Sequence, residues 1–355
     1  MSRAGVLVAL AALLGGAAPK VAAQSAAELA VAGARASRAE PSPDLRALAA
    51  RYVRERTAPV PAANALTPAR VALGRMLFFD PRLSGSGLLS CASCHNPALG
   101  WQDGLPLGLG HNMARLGRHT PTILNVAWDE ALMWDGRFGS LEEQALGPIA
   151  SEAEMRLPLD SLVARLRAIP GYAPHFEAAY PGEGISVEVV GKALASFERT
   201  IVSADAPFDR WVAGDETAMD AAAVRGFALF NGKARCAQCH AGWRFTDGGF
   251  YDIGLRGDDE GRGAIIPGVR ILGHAFKAPT LRNIAQRAPY MHDGSEPTLE
   301  AVIDFYDRGG DVRRPSLSPE IRPLGLTAPE KRDLVAFLHA LTSDDPPVTV
   351  PRLPR

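Results

Sequence analysis

Cys91-Ala92-Ser93-Cys94-His95 and Cys236-Ala237-Gln238-Cys239-His240 contain all 4 cysteines of the chain, and their reading decides the fold. Two thiols separated by two residues and followed at once by histidine form the attachment pattern of a c-type haem. The thiols add to the two vinyl groups of one porphyrin, and the adjacent imidazole supplies an axial nitrogen to its iron. A redox C-x-x-C pair or half of a zinc site would use the same cysteines, but neither accounts for the histidines. With 8 His in 355 residues, chance would place one after both pairs about once in 2,000. Two covalently bound c-type haems are therefore expected, with Cys91, Cys94, Cys236 and Cys239 as attachment points and His95 and His240 on the irons.

Around these motifs the chain is long enough for two modest domains. Its 355 residues are 47% hydrophobic, which supports two separate cores, one per haem. A formal net charge of -1, without a basic run, excludes nucleic acid as a partner. Arg3, the small apolar stretch from Ala4 to Ala18 and Val21-Ala22-Ala23 before Gln24 read as a signal peptide over residues 1–23. The stretch is short for a membrane anchor, and no later segment approaches the roughly 18 apolar residues a span needs. The expected product is periplasmic and free of membrane spans, in the compartment where such cytochromes are assembled.

Residues 24–60, rich in Ala, Arg, Glu and Pro, read as a variable extension without chemistry. An N-terminal haem domain is expected over 61–215, a C-terminal one over 216–345 and a tail over 346–355. Thr67-Pro68 is an N-cap followed by proline, ahead of Val71, Leu73, Met76 and Leu77. Val187, Val190, Leu194, Phe197 and Ile201 step by three and four as an amphipathic helix. Further helices start at Ala221 and at Thr327, the latter capped with Glu330. Long alternating strand patterns are absent, so the fold class is mainly α with long loops. Pro121-Thr122-Ile123-Leu124-Asn125 matches Pro279-Thr280-Leu281-Arg282-Asn283, each followed at equal distance by Asp-Gly, and this points to internal duplication. In that alignment Trp134 takes the place of His292.

The two haem motifs, Met133-Trp134-Asp135-Gly136-Arg137, Leu141 through Pro148, Glu154-Met155, Ala278 through Ile284 and Ala288 through Gly294 resemble the bacterial di-haem cytochrome c peroxidase and MauG family. The resemblance covers nearly all of the mature chain. It implies that hydrogen peroxide reacts at the His95 haem and that the His240 haem stores or relays an oxidising equivalent. Glu154 and Gln144 then form the distal pair, with Pro148 lining the pocket and Trp134 lying between the haems. A carboxylate there can pass a proton to the outer oxygen of peroxide and help the O–O bond break. Without the resemblance, Glu154 reads as a solvated helix residue and Trp134 as a core aromatic.

The resemblance also implies Tyr306 as second ligand of the His240 haem iron, at the family's spacing after His292. Peroxidases of the family carry Met there and MauG carries Tyr. Thioether raises a haem potential, whereas phenolate oxygen stabilises the oxidised metal. Tyr306 also reads as an ordinary aromatic on a helix face with Leu299, Val302 and Ile303, and Met291 and His274 compete as ligands. His111 matches a loop histidine that blocks the peroxide-reactive iron in resting peroxidases; a surface histidine is the plainer reading. At the family's interdomain calcium site this chain has His119 and Arg287. A cation there opposes calcium, although backbone carbonyls are indifferent to side-chain identity.

Three functions follow: a peroxidase fed by a small cytochrome or cupredoxin, a MauG-type oxidant of residues in a partner protein, or a non-catalytic electron carrier. Tyr306 favours the second and His111 the first. Homodimerisation, common in the family, is left open by the sequence.

Overall fold

The computed structural model describes residues 43–355; the expected signal peptide and residues 24–42 of the extension lie outside them. Two helix pairs organise what is described. In the first, Pro68–Phe78 packs on Val187–Glu198. Thr67 caps the former by accepting from the Arg70 amide at 3.2 Å, and Ser186 caps the latter through Val189 at 3.2 Å. In the second, Ala221–Asn231, capped by Asp220, packs on Ala328–His339, which opens with the Thr327–Glu330 capping box.

Each pair closes on a glycine. A Cβ on Gly74 would lie 1.9 Å from the Ala193 carbonyl oxygen, and one on Gly226 would lie 2.0 Å from that of Asp333. Backbones this close leave room only for hydrogen, so both positions require glycine.

The described residues form one unit in which buried apolar side chains gather into two clusters. One runs from Leu73 to Ile201; the other holds Phe208 to Leu341. Pro207–Val212, on the N-terminal side of the expected boundary at 215/216, places Phe208 and Trp211 in the second cluster. The chain ends also cross over. Residues within the expected extension, Ala49 and Tyr52, pack into the second cluster. The Tyr52 ring stacks on Phe245 at 5.0 Å and its hydroxyl donates to Asn231 Oδ1 at 2.6 Å. From the tail, Val348 and Leu353 pack on the first cluster, and the Arg355 carbonyl accepts from the Gly171 amide at 2.9 Å.

The matched Pro-Thr segments adopt similar local conformations. Asn125 and Asn283 are both left-handed, with φ of 60° and 56°. Asn125 Oδ1 accepts from the Ser203 amide at 3.0 Å and Asn283 Oδ1 from Ser343 at 2.9 Å. Met133 and Met291 follow with φ of 71° and 72°. Among the described residues the sheet content is one antiparallel pair, Phe250–Tyr251 with Phe276–Lys277, in the register Tyr251↔Phe276. Among the described residues, no helix is long and apolar enough to cross a membrane.

Candidate haem and peroxide site

Both cysteine motifs wind into single tight turns. Cys91–Cys94 is one helical turn, started where the Ser90 amide donates to Ser93 Oγ at 2.9 Å. The His95 amide closes it on the Cys91 carbonyl at 2.8 Å, and the His240 amide closes the second turn on Cys236 at 2.9 Å. Such a turn carries two thiols and an imidazole to one side, and all six residues line a single cavity of about 590 Å³.

His95 Nδ1 donates to the Trp101 carbonyl at 3.2 Å, and His240 Nδ1 donates to that of Phe245 at 2.8 Å. These bonds fix the tautomer that leaves Nε2 with a free lone pair for iron. Burial lowers the pKa of both imidazoles, which keeps them in the neutral form that ligation requires. Burial also pushes Cys94 and Cys239 up to about 11 and Cys236 up to about 12. All four cysteines are unpaired, and protonated thiols facing apolar space suit thioether formation better than a zinc site. Arg137, Arg235, Lys277 and Arg322 add cations to the lining that can meet haem propionates. The residues present fit two haems.

The expected distal residues line the same cavity: Gln144, Pro148 and Glu154. Gln144 Nε2 donates to Met133 Sδ at 3.4 Å. Burial raises the Glu154 pKa above the usual glutamate value, while a hydrogen bond with Ser151 and the nearby Arg137 charge oppose that rise. Trp134 also lines the cavity; its Nε1 donates to the His119 carbonyl at 2.8 Å. Its ring meets His292 edge-on at 6.4 Å, and His292 stacks on Phe276 at 3.5 Å. Trp134 and His292, which take equivalent places in the two matched segments, thus meet in space and form with Phe276 an aromatic bridge along the cavity. Burial holds His292 neutral, its pKa pushed down to about 4.

Tyr306, on the helix Leu299–Asp307, faces the cavity with its hydroxyl hydrogen-bonded to no described residue. Burial raises its phenol pKa, and the neighbouring Cys239 and Cys236 act in the same direction. Met291 lines the cavity as well. His274 lines a separate small pocket, with Nδ1 donating to the Asp259 carbonyl at 2.9 Å. His111 is not among the cavity-lining residues; its amide donates to Ala153 at 3.0 Å and its Nδ1 is buried without a partner. His119 Nδ1 donates to the Leu105 carbonyl at 2.7 Å, and Arg287 Nη2 to that of Thr280 at 2.6 Å. Among the described residues, no group of three or more His, Cys, Asp or Glu side chains is placed to hold a metal ion.

Sequence reasoning missed Phe276 and Glu198, both cavity-lining. Phe276 carries no local signal. Glu198 does, since it follows Leu194 by one helical turn and so puts a carboxyl on the apolar stripe.

The family model for di-haem cytochrome c peroxidases matches residues 68–217. The methylamine utilization protein MauG of Methylorubrum extorquens is 54% identical over 314 residues, covering 88% of this chain and 89% of that protein. The chain belongs to the di-haem cytochrome c peroxidase and MauG family. Cytochrome-c peroxidase IdrP1 of a Pseudomonas species is 39% identical over 323 residues, covering 81% of this chain and 84% of that one. The crystal structure of a MauG-like protein associated with microbial copper homeostasis has a TM-score of 0.75 at 35% identity, covering 82% of this chain and 94% of that one. As a family member the chain is an oxidoreductase carrying two c-type haems, on a mainly helical fold.

Proposed function

We propose that this oxidoreductase works in the periplasm, consumes hydrogen peroxide at the His95 haem and draws the electrons from residues of a partner protein through the His240 haem. The observation that carries this reading is Tyr306, whose phenol faces the cavity beside Cys236 and Cys239 with no hydrogen-bond partner among the described residues. A tyrosine ligand stabilises oxidised iron and suits an enzyme that holds oxidising power until a protein substrate arrives. The 54% identity to a MauG supports the same choice. His240 and Tyr306 would hold the iron of the second motif's haem, and His95 that of the first.

The bound haems supply redox-active iron. Glu154 moves the proton between the two oxygens of peroxide, taking it as a carboxylate and returning it as an acid. Gln144 orients the same molecule from the end of the Leu141–Gln144 helix, and Pro148 lines the pocket beside them. Trp134, held by His119, lies on the path between the haem sites. In this reading residues 61–215 carry the peroxide reaction and 216–345 the relay, arranged by internal duplication.

A second reading, a peroxidase fed by a small cytochrome or cupredoxin, is favoured by the IdrP1 likeness. A steady-state assay with peroxide and a reduced small cytochrome separates the two. The first expects the cytochrome to be oxidised slowly, far below the rate at which peroxide alone reacts with the enzyme. Rapid sustained turnover would favour the second.

A further inference from the structure

Glu198 is a buried acid in the cavity to which the proposed reaction gives no task. It is 5% exposed, lines the cavity and acts electrostatically on Cys91, the first thioether cysteine. Its neighbour Arg199 is committed elsewhere, with Nη1 and Nη2 donating to Glu142 Oε1 and Oε2 at 2.7 and 2.9 Å. Asn64 Nδ2 adds a third bond to Glu142 at 2.9 Å. Glu198 Oε2 is buried with no hydrogen-bond partner among the described residues.

A buried carboxylate in that position lacks a counter-charge of its own, so the proton is retained well above the usual range. Burial pushes its pKa up to about 8, with Arg199 pulling down and Glu142 pushing up. The other charged groups come from the helices packed against its own. Pro68–Phe78 brings Arg70 and Arg75, and Leu159–Arg167 brings Asp160, Arg165 and Arg167. The four arginines are bonded to carbonyls of Ala179, Thr349, Arg82 and Ile185 respectively, Arg75 through Nη2 only, and the charges that act on Glu198 are those of Arg199 and Glu142. Leu141–Gln144 brings Glu142, already paired, and Glu143, which is exposed.

We propose that Glu198 is the redox-linked proton site of the first haem, binding a proton as that haem gains an electron and releasing it as the electron leaves. The electron comes from a one-electron donor and resides on iron. The proton is taken up from bulk solvent, which keeps the conjugate base, and forms an O–H bond on the Glu198 carboxylate, so net charge in the cavity stays constant. Attachment of the porphyrin through Cys91 brings the two charge changes side by side in a medium where an uncompensated charge is costly. The inference rests on haem attachment at Cys91, Cys94 and His95, and not on the reaction with peroxide.

Spectroelectrochemical titration of the two-haem protein on both sides of neutrality tests it. The expected result is a tenfold shift of the first haem's reduction equilibrium per pH unit, about 59 mV for a one-electron couple. Glu198→Gln should flatten that slope and leave the second haem's behaviour unchanged. A slope that survives in Glu198→Gln, or its absence from the wild type, overturns the proposal. Infrared difference spectra of the wild type alone give an independent readout should the variant fail to load haem. A protonated-carboxyl band that grows on reduction and shifts in D2O is expected, and a spectrum without it overturns the assignment.

Discussion

Replacing Gly226 with alanine tests the packing argument because two terms of known size oppose each other. On a helix surface the change stabilises by about 0.8–1 kcal/mol through helix propensity. Here the new methyl would stand 2.0 Å from the Asp333 carbonyl oxygen and 2.7 Å from Phe337 Cβ, where real Cβ contacts under 3.0 Å are essentially never seen. The Ala221–Asn231 and Ala328–His339 helices must then part by about 1 Å, opening a core packed to crystal density. Overpacking costs about 1–3 kcal/mol and at a backbone contact lies at the upper end, so Gly226→Ala should lose about 2 kcal/mol net. Thermal unfolding of the haem-loaded protein followed by far-ultraviolet circular dichroism should show a melting temperature lower by roughly 3 °C. Gly74→Ala should behave alike, against Ala193 at 1.9 Å. An unchanged or raised melting temperature would refute the close-approach argument.

Glu154→Gln should slow the bimolecular reaction with peroxide by about 10²–10⁴-fold with haem content unchanged, measured by stopped-flow absorbance. In the wild type the rate should fall as pH drops through the Glu154 pKa, because the carboxylate must accept the first proton. Burial raises that pKa, so the fall should begin at a higher pH than for an exposed glutamate. Tyr52→Ala should destabilise the protein by about 3 kcal/mol, read by chemical denaturation, because it removes a ring packed on Phe208, Phe227 and Phe245. A loss near zero would mean that the 43–54 segment only rests on the second cluster.

The legible parts of this protein are those whose physics is local. Thr67-Pro68 and Thr327-x-x-Glu330 announce helix starts because a capping oxygen must lie within three residues of the amide it accepts from. Cys-x-x-Cys-His is legible because one turn of chain must present three groups to one porphyrin. Tyr52 joining the second cluster and Arg355 meeting Gly171 depend on contacts across much of the chain, which leave no periodic trace. For the same reason Pro207–Val212 falls in the second cluster although the sequence reads it with the first half. Phe276 under His292 is another pairing that only the folded chain reveals. Glu198 was legible in principle, as a charge on an apolar stripe, but Arg199 beside it suggests an ordinary ion pair; only the folded structure shows that Glu142 has taken that arginine.

The most direct test of the account is a hydrogen peroxide titration of the ferric, fully loaded protein, followed by optical and Mössbauer spectra, in wild type and Tyr306→Met. The account expects the wild type to reach a long-lived state in which both irons are oxidised beyond ferric, and the variant to fail to hold it. A wild type that is inert when ferric and reacts only after one-electron reduction would contradict it and favour a peroxidase gated by His111.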